Sequence, residues 1–278
     1  MKEYKPQFKV KKLYADTYVI SDNGMGQGTV YMYLLVGAEK ALLVDSGYGL
    51  LDLKAITGSI TDKPVVCVCT HGHIDHALGA CQFEEAYLHS KDFDVYQQHS
   101  SGSFINDMAM KGPLARVPKS MLNNPSYLRL AEQIANKRYP PLSKLDGMEK
   151  IDLGGRSVSI RQVPGHTQGS VVIIDDAYHR AFDSDAAAVG AFLFLPESSP
   201  LPEYLAELKN YQAFLETRGI DFRYAGHSGA AMNKKWLKRL IRCVEIAIAK
   251  PKKGIKIKTL WGDARIVFAG GSLIFCRR

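Results

Sequence analysis

A chain of 278 residues is long enough to bury a sizeable core, and its 46% hydrophobic and 23% charged content excludes disordered and fibrous classes. No apolar run approaches the roughly 18 residues of a membrane span. The opening Met1-Lys-Glu-Tyr-Lys-Pro6 lacks a signal peptide's apolar stretch, so a cytoplasmic protein is expected. The net charge of +8 is uneven: residues 111–144 carry +6 and residues 234–258 carry +9, which leaves −7 on the remainder.

The first 46 residues read as strands. Phe8–Leu13, Thr17–Ser21 and Val30–Val36 are rich in Val, Ile, Tyr and Leu between Gly and Asp-Asn-Gly punctuation, and an apolar run ends at Asp45-Ser-Gly47. A helix is expected over Leu50–Ile60, then a buried strand over Pro64–Cys69. Residues 91–150 hold five prolines and only short helical patterns, which suggests a cap-like insertion of helices and loops. Strands resume at Ser157–Val163, Ser170–Ile174 and His179–Phe182. Helical periodicity marks Pro202–Thr217 and Asn233–Ala249, with a strand at Asp221–Tyr224 between them. Residues 231–278 are expected to complete the second αβ layer, ending in short strands. Five cysteines (Cys67, Cys69, Cys81, Cys243, Cys276) without C-x-x-C spacing read as free thiols, not as ligands.

The chemistry is concentrated in His71-x-His73-x-Asp75-His76, directly after an apolar strand. In a loop at a strand end, His71 and His73 can converge on one ion while Asp75 and His76 turn toward a second. Imidazole and carboxylate without thiolate suit zinc, and also iron or manganese. Further donors stand at other strand ends: His166 in Pro-Gly-His-Thr, Asp183 and Asp185 in Phe-Asp-Ser-Asp, and His227 in Ala-Gly-His-Ser.

With Asp45 in Val-Asp-Ser-Gly, these five motifs resemble those of the metallo-β-lactamase superfamily, in order, over roughly residues 15–230. The resemblance implies a four-layer α/β fold, an αββα sandwich with a helical and loop insertion, in a single domain spanning 1–278. By the family pattern His71, His73 and His166 hold one metal, Asp75, His76 and His227 hold the other, and Asp185 bridges. Asp45 would fix the histidine loop. Ser184 stands where the family usually has Gly, and Asp183 competes for the bridge. The small residues Ala186-Ala-Ala after Asp185 favour Asp185.

Two divalent ions, zinc before iron or manganese, would then supply a bridging hydroxide, with Asp75 orienting the water. The expected activity is hydrolysis of a small anionic ester-type molecule (thioester, lactone or phosphodiester). Within residues 91–150, Lys111, Tyr127, Arg129 and Tyr139 are available to roof it. The absence of aromatic-interleaved or zinc-finger motifs speaks against nucleic acid as partner. A homodimer through the basic C-terminal face is left open. The rival reading is a mono- or di-iron oxidoreductase, similar to a sulfur dioxygenase.

Overall fold

Apolar runs near the N-terminus build a seven-stranded sheet, as seen in a computed structural model that describes residues 3–25, 28–114 and 116–277. Met1 and Lys2 of the opening segment lie outside the described residues. The strands are β1 (Phe8–Tyr14), β2 (Thr17–Asp22), β3 (Val30–Val36), β4 (Ala41–Val44), β5 (Val65–Val68), β6 (Ala86–Leu88) and β7 (Ser143–Lys144), neighbours in that order. Pairing is antiparallel through β4 and parallel from β4 onward. β4 is buried along its whole length, as a central strand packed on both faces requires.

Helices α1 (Leu53–Gly58), α2 (Ile74–Ala77), α3 (Phe93–His99), α4 (Gly102–Lys111), α5 (Lys119–Leu122) and α6 (Pro125–Ala135) belong to this half. α1 is shorter than the Leu50–Ile60 expectation because the Asp52 carboxylate caps it, accepting from the Ala55 N–H at 3.0 Å. Residues 91–150 contain α3–α6. Their Tyr96, Ile105, Tyr127 and Ile134 join the core under the first sheet, so these helices are part of the outer layer as well as a rim to the site.

The second half begins with β8 (Lys150–Asp152), β9 (Ser157–Gln162), β10 (Val171–Asp175) and β11 (Arg180–Ser184). It continues through β12 (Gly190–Leu193), α7 (Leu201–Thr217), β13 (Phe222–Ala225), β14 (Ser228–Asn233) and α8 (Lys234–Ala249). It closes with β15 (Ile255–Thr259), β16 (Gly262–Ala269) and β17 (Ser272–Arg277). The second sheet runs β14-β13-β11-β10-β9-β8. Between the two sheets lie Leu35, Leu42, Val44 and Val68 against Val158, Val171, Ile173 and Phe182. Each such fully buried side chain contributes about 1.5–3 kcal/mol. The other face of the second sheet packs on α7 and α8 through Val172, Ile174, Tyr204, Leu208, Leu240 and Val244.

The layers are therefore helix, sheet, sheet, helix: the αββα sandwich the sequence pattern implied. The C-terminal strands depart from the simple expectation. They form a third sheet, β12-β17-β16-β15, in which β12 pairs in parallel with β17 across about 80 residues of chain. Among the described residues no helix is long and apolar enough to cross a membrane.

Candidate metal centre

The donor residues are carried on turns at strand ends, where backbone pairing stops and side chains are free to converge. β5 runs into the loop bearing His71 and His73, and His73 starts α2, which carries Asp75 and His76. His166 follows β9, Asp185 follows β11 and His227 follows β13. Asp45, just past β4, takes the left-handed backbone at φ 63° and Ser184 does so at φ 46°. Strain of this kind in residues with a Cβ is concentrated at functional sites.

Asp45 binds three pieces of this loop together. Its Oδ1 accepts from the Thr70 N–H and Oγ1–H, both at 2.8 Å, and its Oδ2 accepts from His76 Nδ1 at 2.9 Å and Ser184 Oγ at 2.7 Å. The serine that stands where the family pattern has glycine thus uses its hydroxyl to hold Asp45.

Hydrogen bonds fix which nitrogen of each ring faces inward. His76 uses Nδ1 on Asp45, His166 uses Nδ1 on the Phe192 carbonyl at 2.8 Å, and His227 uses Nδ1 on the Thr29 carbonyl at 3.1 Å. The His71 Nδ1–H reaches Thr70 Oγ1 at 3.1 Å, because that hydroxyl's proton is committed to Asp45. His73 alone is reversed, with Nε2 on Glu197 Oε1 at 2.7 Å. Five rings therefore use one nitrogen on an outer oxygen and aim the other at a common focus.

The inward nitrogens cannot satisfy each other. His73 Nδ1 lies 2.9 Å from His166 Nε2, and His76 Nε2 lies 3.4 Å from His227 Nε2. Buried His71 Nε2 and Asp185 Oδ1 have no hydrogen-bond partner. Asp185 Oδ2 stands 3.6 Å from His166 Nε2, 3.8 Å from His76 Nε2 and 3.3 Å from His227 Nε2, between the two sets of rings. Asp75 Oδ2 is 3.3 Å from His227 Nε2 and 3.6 Å from His76 Nε2. Four groups with metal-binding spacing result: His71–His73–His166, Asp75–His76–His227, His71–His76–Asp185 and His73–His99–Glu197. Converging donors and orphaned atoms at a common focus are what divalent cations satisfy, so the residues fit such ions.

The electrostatics separate the two groups: for His227 burial acts downward, but Asp185 and Asp75 outweigh it and raise it well above the usual histidine range. Burial and the neighbouring His76, His73 and His166 hold His71 well below the usual histidine range, and burial beside His73 lowers His166 to about 4. For His76 burial works in the same downward direction, but Asp75, Asp45 and Asp185 outweigh it and raise it to about 9.

Asp183, the competitor for the bridge, points elsewhere. It is buried in an ion pair with Arg223 and accepts from Tyr211 Oη at 2.6 Å. Asp183 and Asp185 do not share a side, although strand residues two apart ordinarily do, because Ser184 between them takes a left-handed backbone.

Three residues outside the sequence expectations complete the centre. Asp92, fully buried, accepts from the Gly72 N–H at 2.9 Å, the Gly169 N–H at 2.7 Å and Thr167 Oγ1 at 2.6 Å, which ties the His71–His73 loop to the His166 turn. Glu197 orients His73; burial pushes its carboxyl up, but the His73 hydrogen bond holds it down at about 2. His99 stacks on His73 at 4.7 Å, its Nδ1 accepting from the Ile74 N–H at 3.2 Å. None sits in a motif, so only the folded chain identifies them. Glu197→Ala is expected to lower metal affinity about 10–100-fold, as loss of a partner that orients a ligand does. A competition titration against a chromophoric chelator measures it, and unchanged affinity would remove Glu197 from the centre.

Gly226 is required by packing. A Cβ there would lie 2.6 Å from His76 Cε1 and 2.8 Å from Asp185 Oδ1.

A cavity of about 580 Å³ opens onto the cluster, lined at one end by His73, Asp75, His166, Asp185 and His227. The roofing residues expected from the sequence are not on its lining. Tyr127 is buried with its hydroxyl on the Ala109 carbonyl, Tyr139 bonds the Ile134 carbonyl, and Lys111 pairs with Asp107. Arg129 lines a separate surface pocket on α6. Arg116 is the cation from residues 111–144 that does line the cavity.

The architecture and this cluster define an αββα protein with a candidate metal centre at the strand ends. Residues 25–92 match the sequence model of the Metallo-beta-lactamase superfamily. Human "Acyl-coenzyme A thioesterase MBLAC2" is 22% identical over 240 residues, covering 82% of each chain. "Metallo-beta-lactamase fold-containing protein ST1585" of Sulfurisphaera tokodaii is 23% identical, covering 78% of this chain and 80% of that one. Among solved structures, the DIM-1 metallo-β-lactamase superposes with a TM-score of 0.59 at 14% identity, covering 87% of this chain and 99% of that one. The chain has the metallo-β-lactamase fold, and its residues 25–92 carry the match to that superfamily's sequence model.

Proposed function

We propose that this protein is a metal-dependent hydrolase of thioesters. The observation that carries the reading is the set of five inward-facing imidazole nitrogens focused with Asp75 and Asp185 beside a cavity large enough for an organic substrate. The thioester class rests on the similarity to proteins named acyl-coenzyme A thioesterases along 82% of the chain.

His71, His73 and His166 would hold one ion, Asp75, His76 and His227 the other, and Asp185 would reach both. The donor set, imidazole and carboxylate without thiolate, suits zinc. When bound, such ions make hydroxide available near neutral pH and polarise a carbonyl oxygen. Asp45, Thr70 and Ser184 keep His76 and His71 in the tautomers that present Nε2. Glu197 does the same for His73 in the opposite sense, presenting Nδ1. Asp75 lines the cavity, and its carboxylate can accept a hydrogen bond from the attacking water and orient it. The cavity lining beside the cluster is largely apolar, and charge interactions are stronger against such a surface than in bulk water. We read the chain as one functional domain, because residues from Tyr48 to Phe275 line that cavity.

The test is turnover of acyl-thioester substrates by the purified protein, before and after chelation and after readdition of zinc. Hydrolysis that chelation abolishes and zinc restores is expected. Hydrolysis of lactones or phosphodiesters with no thioester turnover would replace the substrate class.

A further inference from the structure

The third sheet has two apolar faces: one packs into the core with α7 and α8, and the other meets a smaller cluster of Phe194, Leu195 and Ala264. Along β12 and β17, Gly190 is opposite Leu273 and Phe192 opposite Phe275, alternating with Ala191 opposite Ile274 and Leu193 opposite Cys276. Side chains alternate across a strand, so each set shares a face. The set Ala191, Leu193, Ile274 and Cys276 is buried in the core with α7 and α8. The set Gly190, Phe192, Leu273 and Phe275 lines the cavity beside the metal centre.

Aromatic contacts extend this wall away from the cluster. The Phe192 carbonyl holds His166, while its ring meets Phe275 at 4.5 Å and Phe194 at 5.2 Å, and Phe194 meets Trp261 at 5.8 Å. Trp261 stands in the turn between β15 and β16. A second route leads to it through His99, stacked on Phe104 at 3.9 Å, and Phe104, 6.4 Å from Trp261. The turn is pinned to the insertion by the Leu260 N–H donating to the Pro113 carbonyl at 3.1 Å. Outside the His/Asp cluster and His99, Arg116 is the one charged group on the lining among the described residues. An enclosed apolar surface leading away from a hydrolytic centre fits an alkyl chain and discriminates against a polar group, which would lose its hydrogen bonds to water there.

We propose that the face formed by Gly190, Phe192, Leu273 and Phe275, closed by Trp261, is an acyl-chain site, so that the preferred substrates are thioesters of medium- and long-chain fatty acids. This inference rests on the thioesterase reading for its reaction, but the site is a property of the wall itself. Each methylene placed on it raises kcat/KM about fourfold until the wall is covered. Gly190 provides a way to fill the site. A Cβ there would meet only Leu273 Cδ1, at an ordinary 3.5 Å, and its backbone needs no left-handed angle.

The experiment measures kcat/KM for acetyl, butanoyl, octanoyl and dodecanoyl thioesters of coenzyme A, with the zinc-loaded wild type and with Gly190→Leu and Trp261→Ala. The wild type is expected to favour dodecanoyl over acetyl by at least a hundredfold. Gly190→Leu is expected to cut that ratio tenfold or more, and Trp261→Ala to move the optimum toward longer chains. Equal rates for all chain lengths would overturn the acyl site and leave the thioesterase reading standing. Binding of dodecanoate by calorimetry separates the two claims if no thioester is cleaved. Binding to wild type that is weakened tenfold in Gly190→Leu keeps the site and rejects the reaction, whereas no binding rejects both.

Discussion

An Asp185→Asn protein is expected to lose more than a hundredfold in hydrolysis, beyond the roughly 10–100-fold that loss of an outer partner costs, and to retain less metal. The reason is position. Asp185 Oδ2 reaches His166 on one side and His76 and His227 on the other, while Oδ1 is buried with no hydrogen-bond partner. An asparagine keeps the shape and loses the charge that the two proposed cations would share. The same change affects the metal-free protein. Burial opposes ionisation of Asp185, but His227 and His76 outweigh it and hold its carboxyl well below the usual range. A carboxylate depressed in this way stabilises the fold above the unfolded-state pKa of about 3.9, and that contribution is lost as pH falls toward the folded-state value. The thermal midpoint of metal-free Asp185→Asn is therefore expected below that of metal-free wild type at pH 7, and the gap should close in strong acid. Full activity in Asp185→Asn would remove the bridge assignment.

The second large effect is on stability. Arg223 and Asp183 form an ion pair that is essentially inaccessible to solvent, with Tyr211 as the carboxylate's other partner. Burial pushes the Asp183 carboxyl up, against the pull of Arg223. Arg223→Met leaves that carboxylate buried without its cation, which costs about 3–5 kcal/mol. The double variant Arg223→Met with Asp183→Leu removes both charges and is expected to recover most of the loss, apart from about 1–3 kcal/mol for the stranded Tyr211 hydroxyl. Urea unfolding of the two variants measures the difference. Equal destabilisation by single and double variants would mean that packing volume, and not the unpaired charge, sets the cost.

Much of the site is legible in the sequence because metal donors are few residue types, and strand ends are marked by apolar runs that stop. His71, His73, Asp75 and His76 declare themselves by crowding, and His166 and His227 by the glycine before each. At Gly226 the packing reason is visible: a Cβ would strike His76 and Asp185. What holds the donors is less legible. Asp92 joins residues 20, 75 and 77 positions away and Glu197 reaches a histidine 124 positions away, and no local pattern records such contacts. The third sheet is hidden for a related reason. β12 has only four residues, and its partner β17 lies near the other end of the second half, so periodicity shows a short apolar run without its neighbour.

This also alters the meaning of the charge. Of the two basic stretches, 111–144 and 234–258, the first suggested a cationic roof over an anionic substrate. The cavity instead takes Arg116 from the first stretch and, beyond the donor cluster and His99, an otherwise mainly apolar lining. The hydrophobic turn at Trp261 follows directly after the second stretch and turns into the cavity, while its lysines Lys250, Lys252, Lys253, Lys256 and Lys258 are exposed.

Thioester hydrolysis by a metal centre in this fold is tested by elemental analysis of the purified protein combined with octanoyl-coenzyme A hydrolysis under anaerobic and aerobic conditions. Up to two equivalents of zinc are expected, with turnover that ignores oxygen and stops on chelation. Iron with stoichiometric oxygen uptake and no thioester cleavage would contradict it and favour an oxidoreductase on the same donors.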